Sequence, residues 1–282
     1  MLNVDVIQNG NLERDGVGER IYPFVKWVGG KQALAPTLVS YFPTDFTNYF
    51  EPFLGGGSVL LSVRPEQAYA SDQNNWLIDT YNAVKDDWKA VAKVLDKLEN
   101  TRESFLEIRK IQPQTLQPAK RAAHFIYLNK TCFRGLFRVN KQGQFNVPYG
   151  EYDRRYYSPE NLKAVSDALQ HVNFHCCDFE ETATQAKSGD FVYFDPPYYK
   201  LGGFSDFNRY TANQFREMDH VRLASLCNEL DKNGVRWAVS NSDTPLIRSL
   251  FEGHRIEEIS ARREINLKSQ SRNVVELLIM NY

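Results

Sequence analysis

Cysteine is scarce in this sequence. The 282-residue chain holds four, Cys132, Cys176, Cys177 and Cys227, and none of them forms a C-x-x-C pair. That argues against a structural zinc site, and no metal is expected. A chain this long needs no disulfide framework, so the thiols read as reduced and the protein as cytoplasmic. Long apolar runs are also missing: none approaches the roughly 20 residues that a membrane helix requires. The opening stretch, MLNVDVIQNGNLERDGVGER, lacks the basic-then-apolar order of a signal peptide, and residues 1–22 read as a polar lead-in. No charge of one sign dominates, with 34 Lys and Arg against 35 Asp and Glu. Binding to a polyanion therefore requires local basic patches. Internal repeats and low-complexity tracts are absent.

Short apolar runs recur instead. Residues 48–52, 67–71, 172–176, 191–194, 235–239, 255–259 and 274–279 read as strands. Helical periodicity separates several of them, at residues 58–63, 214–233 and 244–251. Such alternation predicts an α/β fold around a largely parallel sheet. The stretch from about 74 to 159 breaks the rhythm. Residues 79–109 read as one long, charged helix, and residues 120–155 contain eight Lys or Arg but only two acids. This basic insertion is either a substrate-recognition subdomain or a solvated helical cap.

Ligands of open α/β sheets sit beyond the carboxyl ends of the strands. Asp72, Asp178 and Asp195 all fall at such ends. After the first strand comes a glycine loop, Glu51-Pro52-Phe53-Leu54-Gly55-Gly56-Gly57-Ser58, which lets backbone N–H groups approach a ligand closely. The dinucleotide pattern G-x-G-x-x-G fails there, because Leu60 holds the third glycine's place, and a pyrophosphate ligand is disfavoured. Asp72, 15 residues after Gly57, is placed to bind the two hydroxyls of a ribose. A nucleoside cofactor without a pyrophosphate, S-adenosylmethionine foremost, fits this pair; packing alone is the other account of the glycines. Upstream, Lys26-Trp27-Val28-Gly29-Gly30-Lys31-Gln32 does not meet P-loop spacing. Lys31 suits neutralisation of a cofactor carboxylate, and Trp27 suits stacking or core packing.

The stretch Asp195-Pro196-Pro197-Tyr198-Tyr199 follows a buried strand. An amine conjugated to an aromatic ring is a poor nucleophile because its lone pair is delocalised. Two acceptors on its two N–H bonds, the Asp195 carboxylate and the Pro196 carbonyl, help it rehybridise towards a methyl donor. Proline stiffens the carbonyl, and Tyr198 offers a ring for base stacking. A base inside a duplex must be flipped out to reach such a pocket. Residues 129–149 read as a β-hairpin turning near Lys141-Gln142-Gly143, and a β-ribbon of this kind enters the major groove. Arg138 suits a bidentate contact to guanine, Leu136 a thymine methyl, and Phe133 the gap beside a flipped base.

At this point the sequence resembles the DNA adenine N6-methyltransferases of the Dam family, including the methylases of GATC restriction systems. The resemblance covers the chain from about residue 23 to 282. It rests on K-W-x-G-G-K at 26–31, E-P-F-x-G-x-G at 51–57, Asp72, R-x-N-x-x-G-x-F-N-V-P at 138–148, D-P-P-Y at 195–198 and the closing R-N-V-x-E-L-L-I-x-N-Y.

The resemblance implies a Rossmann-like S-adenosylmethionine-dependent methyltransferase fold with a seven-stranded, mostly parallel sheet. The catalytic domain would span residues 23–73 and 160–282, with a helical and β-hairpin DNA-recognition subdomain at 74–159. Cofactor contacts would come from Trp27, Lys31, Phe53, Gly55, Gly57, Asp72, Asp178, Phe179 and Asp195, with Asp178 and Phe179 holding the cofactor's adenine. Catalysis would fall to Asp195, Pro196, Pro197 and Tyr198. Lys26, Phe133, Arg134, Leu136, Arg138 and Pro148 would contact double-stranded DNA. Arg134 and Glu151 depart from the family pattern and weaken the expectation for flanking contacts. The implied activity is methyl transfer from S-adenosylmethionine to N6 of a flipped adenine within GATC, by a monomer or weak dimer. Competing readings are an amine methylase acting on RNA, on a protein amide or on cytosine N4, and a catalytically idle DNA-binding protein.

Overall fold

The computed structural model of the protein describes residues 21–140, 142–199, 215–262 and 273–282. Most of the polar lead-in, Lys141 of the hairpin turn, Gln214 and the Arg272 that opens the closing motif lie outside the described residues. Seven strands form one sheet: β1 (Tyr49–Glu51), β2 (Ala68–Ser71), β3 (Val172–His175), β4 (Phe191–Phe194), β5 (Arg236–Ser242), β6 (Arg255–Arg262) and β7 (Asn273–Met280). Their order is β3-β2-β1-β4-β5-β7-β6. The first five run parallel to one another, whereas β7 runs antiparallel between β5 and β6. A seven-stranded, mostly parallel sheet is therefore present, as expected.

β4 shows why. All four of its residues are buried, as a strand covered on both faces requires. Its side chains alternate between two apolar layers: Phe191 and Tyr193 join one, Val192 and Phe194 the other. The first layer is completed by α1 (Ala35–Tyr41), α2 (Leu60–Val63), α3 (Asn75–Leu95), α5 (Pro118–Thr131) and α6 (Pro159–Ala168). The second is completed by α7 (Phe179–Ala183), α8 (Glu217–Lys232) and α9 (Pro245–Leu250). Each fully buried aromatic of this sandwich contributes roughly 1.5–3 kcal/mol of transfer free energy.

Between β2 and β3 the chain leaves the sheet. The long helix expected over residues 79–109 is two helices. α3 starts earlier, where the Asn74 side chain accepts the Leu77 N–H, and it ends at Leu95. It also kinks at Asp87, whose φ of −152° is not helical. Thr101 then caps α4 (Arg102–Lys110) by accepting the Ser104 N–H. The break is held by tertiary contacts: the Tyr127 hydroxyl donates to the Glu99 carbonyl, and the Tyr149 hydroxyl to the Asn100 carbonyl. Helical periodicity alone does not register these long-range ties.

After α5 comes a hairpin shorter than the one expected over 129–149, because residues 129–131 are the last turn of α5, held by the helix's own backbone bonds such as Cys132 N–H to the Leu128 carbonyl. Val139 bridges Phe145 and Cys132 bridges Tyr149, both antiparallel. The Asn146 N–H donates to the Arg138 carbonyl and the Phe133 N–H to the Pro148 carbonyl. At the turn Gly143 has φ of 75°, a conformation that favours glycine.

The glycine loop offers a test of backbone strain. Gly57 sits at φ 64°, and a Cβ there would lie 2.7 Å from the Tyr81 hydroxyl oxygen. Gly57→Ala is expected to destabilise the fold by about 1–3 kcal/mol, seen as a lower midpoint in denaturant. An unchanged midpoint would show that the loop yields freely.

Candidate active site

Asp72, Asp178 and Asp195 follow the carboxyl ends of β2, β3 and β4, strands that share the parallel part of the sheet with β1. The centre of the crevice is an ion pair. Lys31 is 5% exposed, and its Nζ lies 2.8 Å from Asp195 Oδ1 and 2.9 Å from Oδ2. The same ammonium donates to the Gly29 carbonyl at 2.8 Å. A tight turn delivers the lysine, with the Gly30 N–H donating to the Trp27 carbonyl and Gly29 at φ 79°. The Lys31 ammonium also lies 4.7 Å from the centre of the Tyr198 ring. Pro196 is buried behind them, and Pro197 is half-buried.

The glycine loop lies beside this pair. The Gly55 N–H donates to Asp72 Oδ2 at 3.1 Å, and the Asn74 N–H to Asp72 Oδ1 at 2.9 Å. Asp72 is thus fixed by backbone donors before any ligand arrives. The Trp27 ring lies on the loop, where a Cβ on Gly55 would meet its Cδ1 at 2.8 Å. The indole also stacks on Phe137 of the hairpin segment at 5.6 Å, so one side chain spans the glycine loop and the inserted region.

At the far side, Asp178 caps α7 by accepting the Glu180 N–H. Its carboxylate also accepts Arg222 Nη2 at 2.9 Å and Gln73 Nε2 at 3.0 Å. The Phe179 ring is 2% exposed and stacks on Phe53 at 5.2 Å. Phe53 and Phe179 form a floor here rather than two open faces.

The hairpin residues form a separate exposed group. Phe133 is 46% exposed, with the Arg134 guanidinium 5.2 Å from its ring centre. Arg138 is exposed and bonds Asn146 through Nε, at 2.7 Å, and through Nη2, at 3.2 Å. Those bonds pin one edge of the planar guanidinium. Pro148 is exposed and Leu136 half-buried. Lys26 is tied in by Asn129, which accepts the Lys26 N–H at 2.7 Å and donates to the Lys26 and Gly135 carbonyls. Nearby, burial and the Lys26 and Arg154 cations pull the Lys130 ammonium down to about 8. Glu151, one of the departures from the family pattern, pairs with Arg102 at 3.5 Å with both side chains mostly exposed. Such a pair adds little to stability.

The signature of D12 class N6 adenine-specific DNA methyltransferases matches residues 27–265 of this chain. The chain belongs to that family. The methyltransferase is 36% identical to the Type II methyltransferase M1.LlaDCHI of Lactococcus lactis subsp. cremoris, covering 92% of this chain and 95% of that protein. It is 37% identical to the Type II methyltransferase M.MjaIII of Methanocaldococcus jannaschii, over 93% of this chain and 99% of the other. It is 35% identical to a DNA adenine methylase of Vibrio cholerae, over 91% of this chain and 94% of the other. Among the methyltransferase's described residues, no helix is long and apolar enough to cross a membrane, and no cluster of three metal-ligating side chains occurs.

Two acids of the methyltransferase's crevice were not singled out by spacing. Glu276, on β7, accepts the Tyr198 hydroxyl at 2.8 Å. Glu51, at the end of β1, is 2% exposed and accepts the Tyr49 hydroxyl at 2.7 Å. The i,i+2 spacing of Tyr49 and Glu51 on one strand was the available signal, since it puts both on one face. Burial, with the Asp195 charge adding to it, pushes the Glu51 carboxyl up to about 8 despite the tyrosine bond. Asp195 is also raised, first by burial and further by Glu276, with Lys31 opposing.

Glu51 makes a pH prediction. Burial pushes its carboxyl up to about 8, above the usual 4.5, so the folded state holds a proton that the unfolded state releases. The resulting stability is fully present below about pH 4.5 and is lost as pH rises towards 8. Glu51→Gln should remove up to about 1.4 kcal/mol per pH unit of that slope, read from denaturation midpoints at pH 5 to 8. Parallel slopes for variant and wild type would show Glu51 to be ionised in the fold.

Proposed function

We propose that this DNA adenine methyltransferase takes its methyl group from S-adenosylmethionine and acts on the adenine of GATC in duplex DNA. The observation that carries the reading is the Lys31–Asp195 pair at the end of β4, with Tyr198 against it and the glycine loop alongside.

The donor set suits this cofactor. The Asp195 carboxylate, with Lys31 as its partner, and the Glu276 side chain at the Tyr198 hydroxyl give the crevice acidic groups suited to a cationic ligand. When bound, S-adenosylmethionine supplies a methyl group on a positively charged sulfur. Trp27, Lys31, Phe53, Gly55, Gly57, Asp72, Asp178 and Phe179 would hold it, with the already ordered Asp72 carboxylate taking the ribose hydroxyls.

The chain's own residues then act on the target. Asp195 accepts one N–H of the adenine amine and the Pro196 carbonyl the other, which localises the nitrogen lone pair. Pro197 stiffens the turn, and Tyr198 stacks on the base. Lys31 aims the Asp195 carboxylate and opposes the rise that burial imposes on it. Phe133 fills the stack that the flipped base vacates, while Lys26, Arg134, Leu136, Arg138 and Pro148 bind the duplex. In this reading residues 74–159 are the recognition subdomain and the remainder carries the chemistry. The family resemblance at residues 138–148 supports GATC, and the names of the Type II relatives support a role beside a restriction enzyme.

The test is transfer from labelled S-adenosylmethionine to unmethylated duplexes with and without GATC, followed by digestion to nucleosides. Label in N6-methyladenine with GATC alone is the expected result. Label on both duplexes would remove the site assignment, and label in N4-methylcytosine or only on RNA would overturn the target.

A further inference from the structure

We infer that Glu276 is a positioning residue for methyl transfer, acting by anchoring the Tyr198 hydroxyl across the mouth of the crevice. The inference rests on the reading of Asp195 to Tyr198 as the site that receives the target amine.

Among the described residues the Tyr198 side chain meets the Asp195 carboxylate, which its hydroxyl helps to stabilise, and two further groups. The Lys31 ammonium lies 4.7 Å from the ring centre, and Glu276 Oε2 accepts its hydroxyl at 2.8 Å. Of the two, only the second is directional. A cation over a ring tolerates rotation in the ring plane and tilting; a hydrogen bond to a carboxylate fixes the ring's far end. Glu276 reaches this place because β7 runs against the parallel strands. Glu276 lies opposite Ser242, the last residue of β5, and so stands at the carboxyl edge of the sheet. The antiparallel strand thus starts where the parallel strands stop, and one of its first side chains overlooks the crevice.

The same tyrosine is fixed through its neighbour. The Tyr199 N–H donates to Asn241 Oδ1 at 3.3 Å, and the Ser242 hydroxyl donates to the Tyr199 carbonyl. The backbone after Asp195 is therefore tied to β5 while the Tyr198 side chain is tied to β7. Glu276 holds the ring relative to the Lys31–Asp195 pair, and a base stacked on that ring takes its angle to Asp195 from it. A near-attack geometry depends on that angle.

The experiment is a double-mutant cycle on single-turnover methyl transfer, with the KM for DNA and thermal midpoints measured alongside, for wild type, Tyr198→Phe, Glu276→Ala, Glu276→Gln and the Tyr198→Phe/Glu276→Ala pair. Glu276→Ala should slow transfer roughly 10- to 100-fold, the worth of one hydrogen bond to a charged group, with the KM for DNA little changed. Tyr198→Phe, which also removes the hydroxyl's interaction with Asp195, should slow it at least as much, and the pair no further than Tyr198→Phe alone. Glu276→Gln, which keeps an acceptor, should recover most of the rate. Should Glu276→Ala fail to fold, Tyr198→Phe removes the same bond from the ring side and must show at least that loss, while Glu276→Gln must retain most of the rate. A wild-type rate for Glu276→Ala or Tyr198→Phe, or losses that multiply in the pair, overturns the inference. Tyr198→Ala turning over at the wild-type rate would instead sink the underlying assignment of the site.

Discussion

Asp195→Ala should lower methyl transfer by at least about 10²–10³-fold while the protein still binds duplex DNA. The reacting nitrogen gains its lone pair only as its N–H bonds are held, and Asp195 is the charged one of the two proposed acceptors. The carboxylate is also the partner of a buried ammonium, since Lys31 is 5% exposed and, among the described residues, its other hydrogen bond goes to the Gly29 carbonyl. Removing one member of such a pair leaves an uncompensated charge, at a cost of about 3–5 kcal/mol where nothing relaxes. Two effects are therefore mixed in the alanine variant, and Asp195→Asn separates them. The amide keeps shape and one acceptor oxygen, so it should fold better than alanine yet remain slow. Single-turnover transfer with labelled donor, read beside thermal midpoints, checks both. A turnover within a few-fold of wild type in a folded Asp195→Ala protein would remove this residue from the chemistry.

Arg138→Ala should lose discrimination at one guanine of the site by about 1–3 kcal/mol. The geometry suits the proposed guanine contact. Asn146 engages Nε and Nη2, which orients the guanidinium plane at an exposed edge of the hairpin. A fork held in a fixed plane reads the O6 and N7 of guanine; a lysine ammonium lacks that shape. Arg138→Lys should accordingly keep affinity and its salt dependence but relax specificity at the same base pair. Methylation rates on duplexes carrying each single-base change in GATC make the comparison. If Arg138→Ala slows every duplex equally, the residue contacts phosphate and not a base.

Much of this site was legible because strand ends are local signals. Phe191 to Phe194 reads as a buried strand, and Asp195 follows it directly, so its place at the sheet's carboxyl edge needed no tertiary knowledge. The same holds for Asp72 and Asp178, and for the hairpin residues around Arg138. The break after Leu95 was not legible, because the stop is imposed by Tyr127 and Tyr149, far along the chain, and not by a proline or glycine. Glu276 escaped for a related reason. Its partner Tyr198 is 78 residues away, and the contact exists only because β7 inserts antiparallel between β5 and β6. Asn129 reads in sequence as the first residue of the hairpin, yet it lies in α5, is fully buried and staples Lys26 to Gly135. Pairwise ties of this kind carry no periodicity.

The position of β7 also governs when the enzyme can exist. A ribosome releases the parallel strands first, and β6 emerges before the strand it pairs with. Until residues 273–280 arrive, β6 has no neighbour in the sheet, β5 has one open edge, and Tyr198 has no anchor. The bond proposed to orient the target base therefore forms last, together with the strand that closes the sheet.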